Sequence, residues 1–266
     1  MTVKGKRHMK RLAAPRIRRI PRKARHGVRV VRSRPGPHPI DRSIPIALIL
    51  RDMLGIAETM REVRAILRRG YVLVDGRPVY DRKFPVGSMD VITFVPENVH
   101  YRVMPRYNMH FILHKIPEEE AKIKVGKIKV KKTIKGGRIQ ITTHDGRNFV
   151  LPPEEKDRVK RRRSVVYEIP EQKLIDVLPL EPGNYVLIER GRNMGYHGIL
   201  KTIEHMPRDR GYVELELPDG RILRTGEQYV FVIGHEKPII SLPRGEEDGD
   251  VVLRTHERII RSVGAL

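Results

Sequence analysis

The side chains in this chain best equipped for chemistry are its acids and bases, and their spacing decides what chemistry is open to them. Eleven histidines accompany no cysteine, so disulfides, thiolate zinc sites and cysteine nucleophiles are excluded. His144-Asp145 has the residue types of a proton-relay pair. Gly146 follows it directly and no serine or cysteine nucleophile motif accompanies it, so a hairpin turn is predicted instead. His8, His26 and His38 sit among cations that would oppose a divalent ion. His100, His110, His114, His197, His205, His235 and His256 show neither HExxH nor paired-carboxylate spacing. Gly191, Gly195 and Gly198 punctuate a short stretch but match neither G-x-G-x-x-G nor a Walker loop. No catalytic residue, metal set, cofactor or small-molecule substrate is therefore expected. What has a consistent pattern is positive charge.

The chain has 266 residues and a net charge of +22. With 39% hydrophobic and 5% aromatic residues and no Trp, it predicts several small cores rather than one large one. Fourteen of the surplus cations precede the first acidic residue, Asp41. They include Lys4, Lys6, Arg7, Lys10, Arg11, Arg16, Arg18, Arg19, Arg22, Lys23 and Arg25, and prolines at 15, 21, 35, 37 and 39 deny this arm a long helix. Like charges so dense predict a segment disordered alone and ordered against phosphates, with a solubility tail or localisation signal as the bland alternative. A second basic run holds Arg161, Arg162 and Arg163, after Pro152-Pro153 and a short acidic patch; a solvated loop is its bland alternative. No run of about 18 apolar residues exists to span a membrane, and the N-terminus lacks a signal peptide's apolar stretch. A soluble, intracellular partner of nucleic acid is expected.

The elements that position these cations are clearest between residues 43 and 94. Ser43 is predicted to cap a first helix, apolar nearly all round and carrying Arg51, that ends at Gly55. Thr59 and Glu62 make a capping box for a second helix. On a helical wheel Met60, Val63, Ile66 and Leu67 gather on one side, while Arg61, Arg64 and Arg68 lie within about 60° of one another opposite, with Arg69 adjacent. Gly70 stops the helix, and 71–74 and 77–79 flank the hairpin turn Asp75-Gly76. Arg77, Arg82 and Lys83 extend the basic shelf. Exposed helical charge is often merely solvated, but this face lacks the alternating acids of such stripes.

Helix, arginine-bearing helix and the hairpin 70–77 resemble the S-four RNA-binding domain, and the continuation through Lys83 to Asp90 resembles the archaeal and eukaryotic small-subunit ribosomal protein family S-four-e. Alternating strands around Gly136-Gly137 and Asp145-Gly146 predict a small barrel or curled sheet with one basic face, and the stretch Thr143 to Asn148 resembles one in that family's central domain. The glycine-punctuated stretch 182–200 is similar to a KOW motif, and 231–243 looks like the family's C-terminal domain. The resemblance implies an α+β, multidomain fold: a basic extended arm (1–41), a small αα-β S-four domain (42–105), then β-rich barrel-like central (106–172), KOW (173–207) and C-terminal (208–266) parts. It implies a structural constituent of the small ribosomal subunit, cytoplasmic, that binds ribosomal RNA and neighbouring ribosomal proteins, with Arg61, Arg64, Arg68, Arg69 and Arg77 matching the RNA-facing positions. The alternatives are an S-four RNA-modifying enzyme of the pseudouridine synthase type, for which the large catalytic domain is missing, and a KOW-containing transcription factor, which would not need the acid-free arm.

Overall fold

The computed structural model describes residues 8–18, 20, 28–107, 110–156, 158–159, 161–204 and 211–243. Lys4, Lys6, Arg7, Arg19, Arg22, Lys23 and Arg25 lie outside them.

The described part of the arm has strand pairing and buried side chains of its own. β1 (Met9–Lys10) pairs antiparallel with β2 (Arg29–Val30), and Ser33 and His38 are buried. Arg18 is 1% exposed. It donates from Nε to the Ser43 carbonyl at 2.9 Å, from Nη1 to that of Val31 at 3.2 Å, and from Nη2 to Ser33 Oγ at 2.9 Å and the Ile40 carbonyl at 3.1 Å. Burial lowers its pKa to about 10. A guanidinium has donors enough to take up this many acceptors, which offsets the cost of desolvation. The expectation for Arg18 is thus corrected: it ties the arm to the body and has no face left for a phosphate. Arg11 is buried as well.

Ser43 also departs from expectation. Its backbone is extended and its side chain caps nothing, because β3 (Ile44–Pro45) pairs with Pro85–Val86 before the chain turns helical. Helix α1 (Ile46–Leu48) opens into a π-turn, Ile49–Met53, closed by Leu54 N–H on the Ile49 carbonyl at 2.8 Å. Ile46, Ala47, Ile49 and Leu50 are wholly buried, as an all-apolar helix requires.

Helix α2 (Met60–Arg68) has the predicted capping box. Glu62 N–H donates to Thr59 Oγ1 at 3.3 Å, Thr59 Oγ1 donates to Glu62 Oε1 at 2.8 Å, and Glu58 N–H donates to Glu62 Oε2 at 2.8 Å. Next come β4 (Val72–Val74), β5 (Arg77–Pro78), β6 (Pro85–Val86, the partner of β3), β7 (Val91–Phe94), β8 (Val99–Arg106) and β9 (His110–Ile116). Positive φ at both Asp75 (51°) and Gly76 (74°) makes the β4–β5 turn the mirror-image kind that suits twisted strands. The sheet runs β5-β4-β7-β8-β9, so it continues past the boundary expected at 105. The β8–β9 hairpin contributes apolar side chains from both of its faces. Val103, Phe111 and Leu113 join the core under the helices, and Met104 and Ile112 join a second core.

Helix α3 (Glu118–Ala121) leads into β10 (Ile123–Thr133), β11 (Ile139–Thr143), β12 (Asn148–Leu151), β13 (Ser164–Glu168) and β14 (Leu174–Leu178), ordered β12-β11-β10-β13-β14. The last unit holds β15 (Tyr185–Ile188), β16 (His197–Glu204), β17 (Tyr212–Glu216), β18 (Ile222–Gly226) and β19 (Val230–Gly234), ordered β18-β17-β16-β15-β19. The KOW-like stretch and the C-terminal part, expected as separate domains, therefore share one five-stranded sheet. Close approach explains two of its glycines. A Cβ on Gly198 would lie 2.1 Å from the Glu216 carbonyl oxygen across the β16–β17 pair, and one on Gly195 would lie 2.6 Å from the Arg106 backbone beside the β8–β9 turn. Gly191 lies beside Tyr229.

Candidate nucleic-acid interface

Helix α2 separates its side chains as its periodicity requires. Val63 and Leu67 are fully buried, and Arg61, Arg64, Arg68 and Arg69 stand in solvent. Among the described residues no carboxylate lies within 4 Å of Arg61, Arg64 or Arg68. Arg64, Arg68 and Arg82 line a shallow cleft of about 330 Å³ with Tyr80 and Asp81. Asp81 is itself engaged by Arg34 at 3.1 Å. Arg77 is exposed on β5, and with the Gln172 amide turned to satisfy both partners its Nη2 donates to that side-chain oxygen at 2.6 Å.

Two tyrosines beside these cations were not foreseen from sequence. Tyr80 is 63% exposed at the cleft, and Tyr71 is 36% exposed with the Arg69 guanidinium 5.9 Å from its ring centre. Exposed aromatic faces next to phosphate-binding cations are what splayed nucleotide bases stack on. The available signal was two tyrosines flanking a hairpin rather than filling its core.

A second basic surface joins arm and body. A groove of about 890 Å³ is lined by His8, Arg11, Arg29, Arg32, Arg51, Arg82 and Lys83, and also by Asp52 and Glu58. Arg51 is half-buried and held by both oxygens of Asp52, at 2.7 and 2.9 Å, and that hydrogen bond raises its pKa. Lys10 and Arg16 are exposed. In the later basic run Arg161 is exposed, whereas Arg162 pairs with buried Glu227, and Arg163 bonds the Arg158 carbonyl and lies 3.8 Å from Glu181. Only the first of these three stands clear of the protein.

The hairpin carrying Arg77 is anchored by a buried ionic cluster that composition could not reveal. Lys124, fully buried on β10, reaches Asp75 at 2.6 Å, Asp90 at 2.7 Å and Asp145 at 3.0 Å. Arg147 joins Asp75 at 2.9 Å and Asp145 at 3.1 Å. Tyr167 OH donates to Asp145 at 2.8 Å, and His38 Nε2 lies 2.9 Å from Asp90. Burial opposes ionisation of Asp90, but the charges of His38 and Lys124 and a Gly87 N–H hydrogen bond outweigh it and hold the carboxyl well below its ordinary range. Asp145 is likewise held far down against burial, by Lys124, His144 and hydrogen bonds from Thr143 and Tyr167. Burial lowers Lys124, yet the carboxylates raise it further, so it stays charged. His144-Asp145 is therefore a hairpin turn, as expected, and also a buried support: His144 Nε2 meets the Ser88 carbonyl at 3.0 Å, and desolvation lowers its pKa.

A helix pair and hairpin presenting unpaired arginines define a protein of the S4 RNA-binding class, and an S4 domain profile matches residues 46–92. Profiles for an RS4NT (NUC023) domain and for Ribosomal family S4e match residues 5–41 and 97–174. Small ribosomal subunit protein eS4 of Hyperthermus butylicus is 44% identical over 249 residues, covering 91% of this chain and 97% of that protein. The eS4 of Ignicoccus hospitalis is 42% identical, covering 91% and 96%. The crystal structure of 30S ribosomal protein S4e from Thermoplasma acidophilum superposes with a TM-score of 0.62 at 32% identity, over 73% of this chain and 96% of that one. The chain belongs to the eS4 family of small ribosomal subunit proteins. That membership carries the α+β multidomain reading and gives no support to the synthase or transcription-factor alternatives. Among the described residues no helix is long and apolar enough to cross a membrane, and no group of three or more His, Asp or Glu could hold a metal ion.

Proposed function

We propose that this chain is a structural constituent of the small ribosomal subunit that holds folded ribosomal RNA by neutralising closely spaced phosphates, alongside neighbouring ribosomal proteins and in the service of translation. The observation that carries this reading is the row of exposed arginines on α2, Arg61, Arg64 and Arg68, without carboxylate partners among the described residues, in a fold that pairs buried cations such as Lys124. Arg69, Arg77, Arg82 and Lys83 widen that shelf, and Lys10, Arg16, Arg51 and Arg161 add contacts around it. The arm cations Lys4, Lys6, Arg7, Arg19, Arg22, Lys23 and Arg25 are assigned the same role, threading between RNA helices. The stretch bearing Gly191, Gly195 and Gly198 acts as a KOW-type unit whose glycines permit close packing. Each neutralised phosphate releases condensed counterions, which gives affinity without sequence reading. Specificity then comes from RNA shape and splayed backbone.

Sedimentation tests this reading. In a sucrose gradient of lysate at moderate salt the protein should travel with small subunits, and a chain lacking residues 1–38 should incorporate poorly. Recovery of the full chain only in the free fractions would overturn it.

A further inference from the structure

A cavity of about 520 Å³ opens where the arm, β10 and the loop after β15 meet. It shares no residue with the α2 cleft. Four cations line it from different parts of the chain: Arg16 and Arg42 from the arm and its junction, Lys129 from β10, and Arg190 from beyond β15. Two carboxylates accompany them, Asp41 and Glu189. Glu189 already serves Arg190 at 3.0 Å and the buried Lys127 at 3.7 Å, and Asp41 lies 3.6 Å from Arg42. Among the described residues Lys129 has no carboxylate within 4 Å; its ammonium donates to the His144 carbonyl at 3.3 Å. The cations also oppose one another. Burial first, then Arg42 and Arg190, hold Lys129 below an ordinary lysine, and burial and Arg190 do the same to Arg42.

The fold thus gathers four cations against two carboxylates at one junction, so Asp41 and Glu189 offset only part of the charge. The histidines at this cavity are occupied, His38 with Asp90 and His144 with Ser88. The remaining wall includes Phe111, Met194 and Tyr229. A volume within the ~300–1,000 Å³ usual for small-molecule pockets admits one nucleotide and excludes a duplex. Its cations suit a phosphate, and its apolar and aromatic side chains suit a base taken out of its stack.

We propose that this junction is a binding site for a single unpaired nucleotide of RNA, its phosphate held by Lys129, Arg42 and Arg190 and its base lodged against Met194 and Tyr229. The assignment rests on the ribosomal RNA reading above. It would also couple RNA binding to the arrangement of the units, since the nucleotide touches the arm, the central sheet and the last sheet together.

Ultraviolet crosslinking of the full chain to small-subunit ribosomal RNA, followed by mass spectrometry of the crosslinked peptides, tests it. Peptides holding Met194 or Tyr229 should carry a nucleotide that is single-stranded in the folded RNA, beside crosslinks at Tyr71 or Tyr80. Lys129→Gln should cut the junction crosslink about tenfold, the effect of one lost charge-assisted contact, and leave the Tyr71 and Tyr80 crosslinks unchanged; Lys129→Arg should retain it. Crosslinks at Tyr71 or Tyr80 with none at the junction, a junction crosslink to a paired nucleotide, or one indifferent to Lys129→Gln, would overturn the proposal. Absence of crosslinks at both places would instead remove the ribosomal RNA reading on which it rests.

Discussion

Arg64 on α2 and Lys124 on β10 are both cations of one strongly basic chain, yet their surroundings give them opposite work. Lys124 is fully buried against three carboxylates, with Arg147, Tyr167 and His38 completing the cluster. Arg64 is exposed and has no carboxylate within 4 Å among the described residues. Burial forces compensation, because an unpaired charge away from water costs several kcal/mol. Exposure permits a charge to stay unpaired until a partner from outside arrives. Net charge alone cannot distinguish the two, but position relative to a core can.

Breaking the buried member should have the largest effect. Lys124→Met leaves Asp75, Asp90 and Asp145 facing one another, and it should cost about 3–5 kcal/mol, the range for a buried ion pair that loses one member. Thermal denaturation would measure this; an unchanged Tm would mean that the cluster contributes little.

Acid attacks the same region in two windows. Asp90 and Asp145 have folded pKa values well below the ordinary carboxylate. Their contribution is complete above about pH 4 and is lost as pH falls further, because the unfolded chain then takes up protons that the fold refuses. His144 is likewise held below its ordinary value, so the stability its neutral form contributes is present above about pH 6.5 and declines below it. Urea midpoints should therefore fall modestly from pH 7 to 5 and steeply below 4. A flat profile between 7 and 5 would contradict the burial of His144.

Smaller changes sharpen the contrast on the exposed side. Thr59→Ala removes the cap of α2 and should cost about 1 kcal/mol in chemical denaturation. Arg64→Ala and Arg68→Ala should each move stability by less than about 0.5 kcal/mol, since neither side chain meets the core. A larger loss would show that the stripe has a packing role.

Much of this was legible in the sequence for identifiable reasons. Thr59, Glu62, the apolar spacing through Leu67 and the Asp75-Gly76 pair are local signals, and α2 and its hairpin formed as those signals require. Ser43 misled because its cap propensity competed with strand pairing of Ile44–Pro45 to a segment forty residues away, and tertiary pairing won. Arg18 misled because nothing local marks which arginine of a basic arm will find four acceptors. The domain boundary at 105 failed because β8 and β9 feed two cores at once, and the KOW boundary failed because β15 pairs with β19, far along the chain. The ionic cluster joins residues from 38 to 167, a set no periodicity connects.

The central claim is that exposed, unpaired cations bind ribosomal RNA, and a salt titration of binding tests it most directly. Affinity of the full chain for small-subunit ribosomal RNA should be measured by filter binding between 50 and 200 mM salt, beside the double variant Arg64→Glu with Arg68→Glu. With about six to ten phosphate contacts the native chain should lose roughly a thousandfold or more across that range. The variant should bind at least about tenfold more weakly at moderate salt, with a salt slope shallower by about two, and should unfold at the same temperature as the native chain. Equal affinity and equal slope for the two proteins would contradict the account.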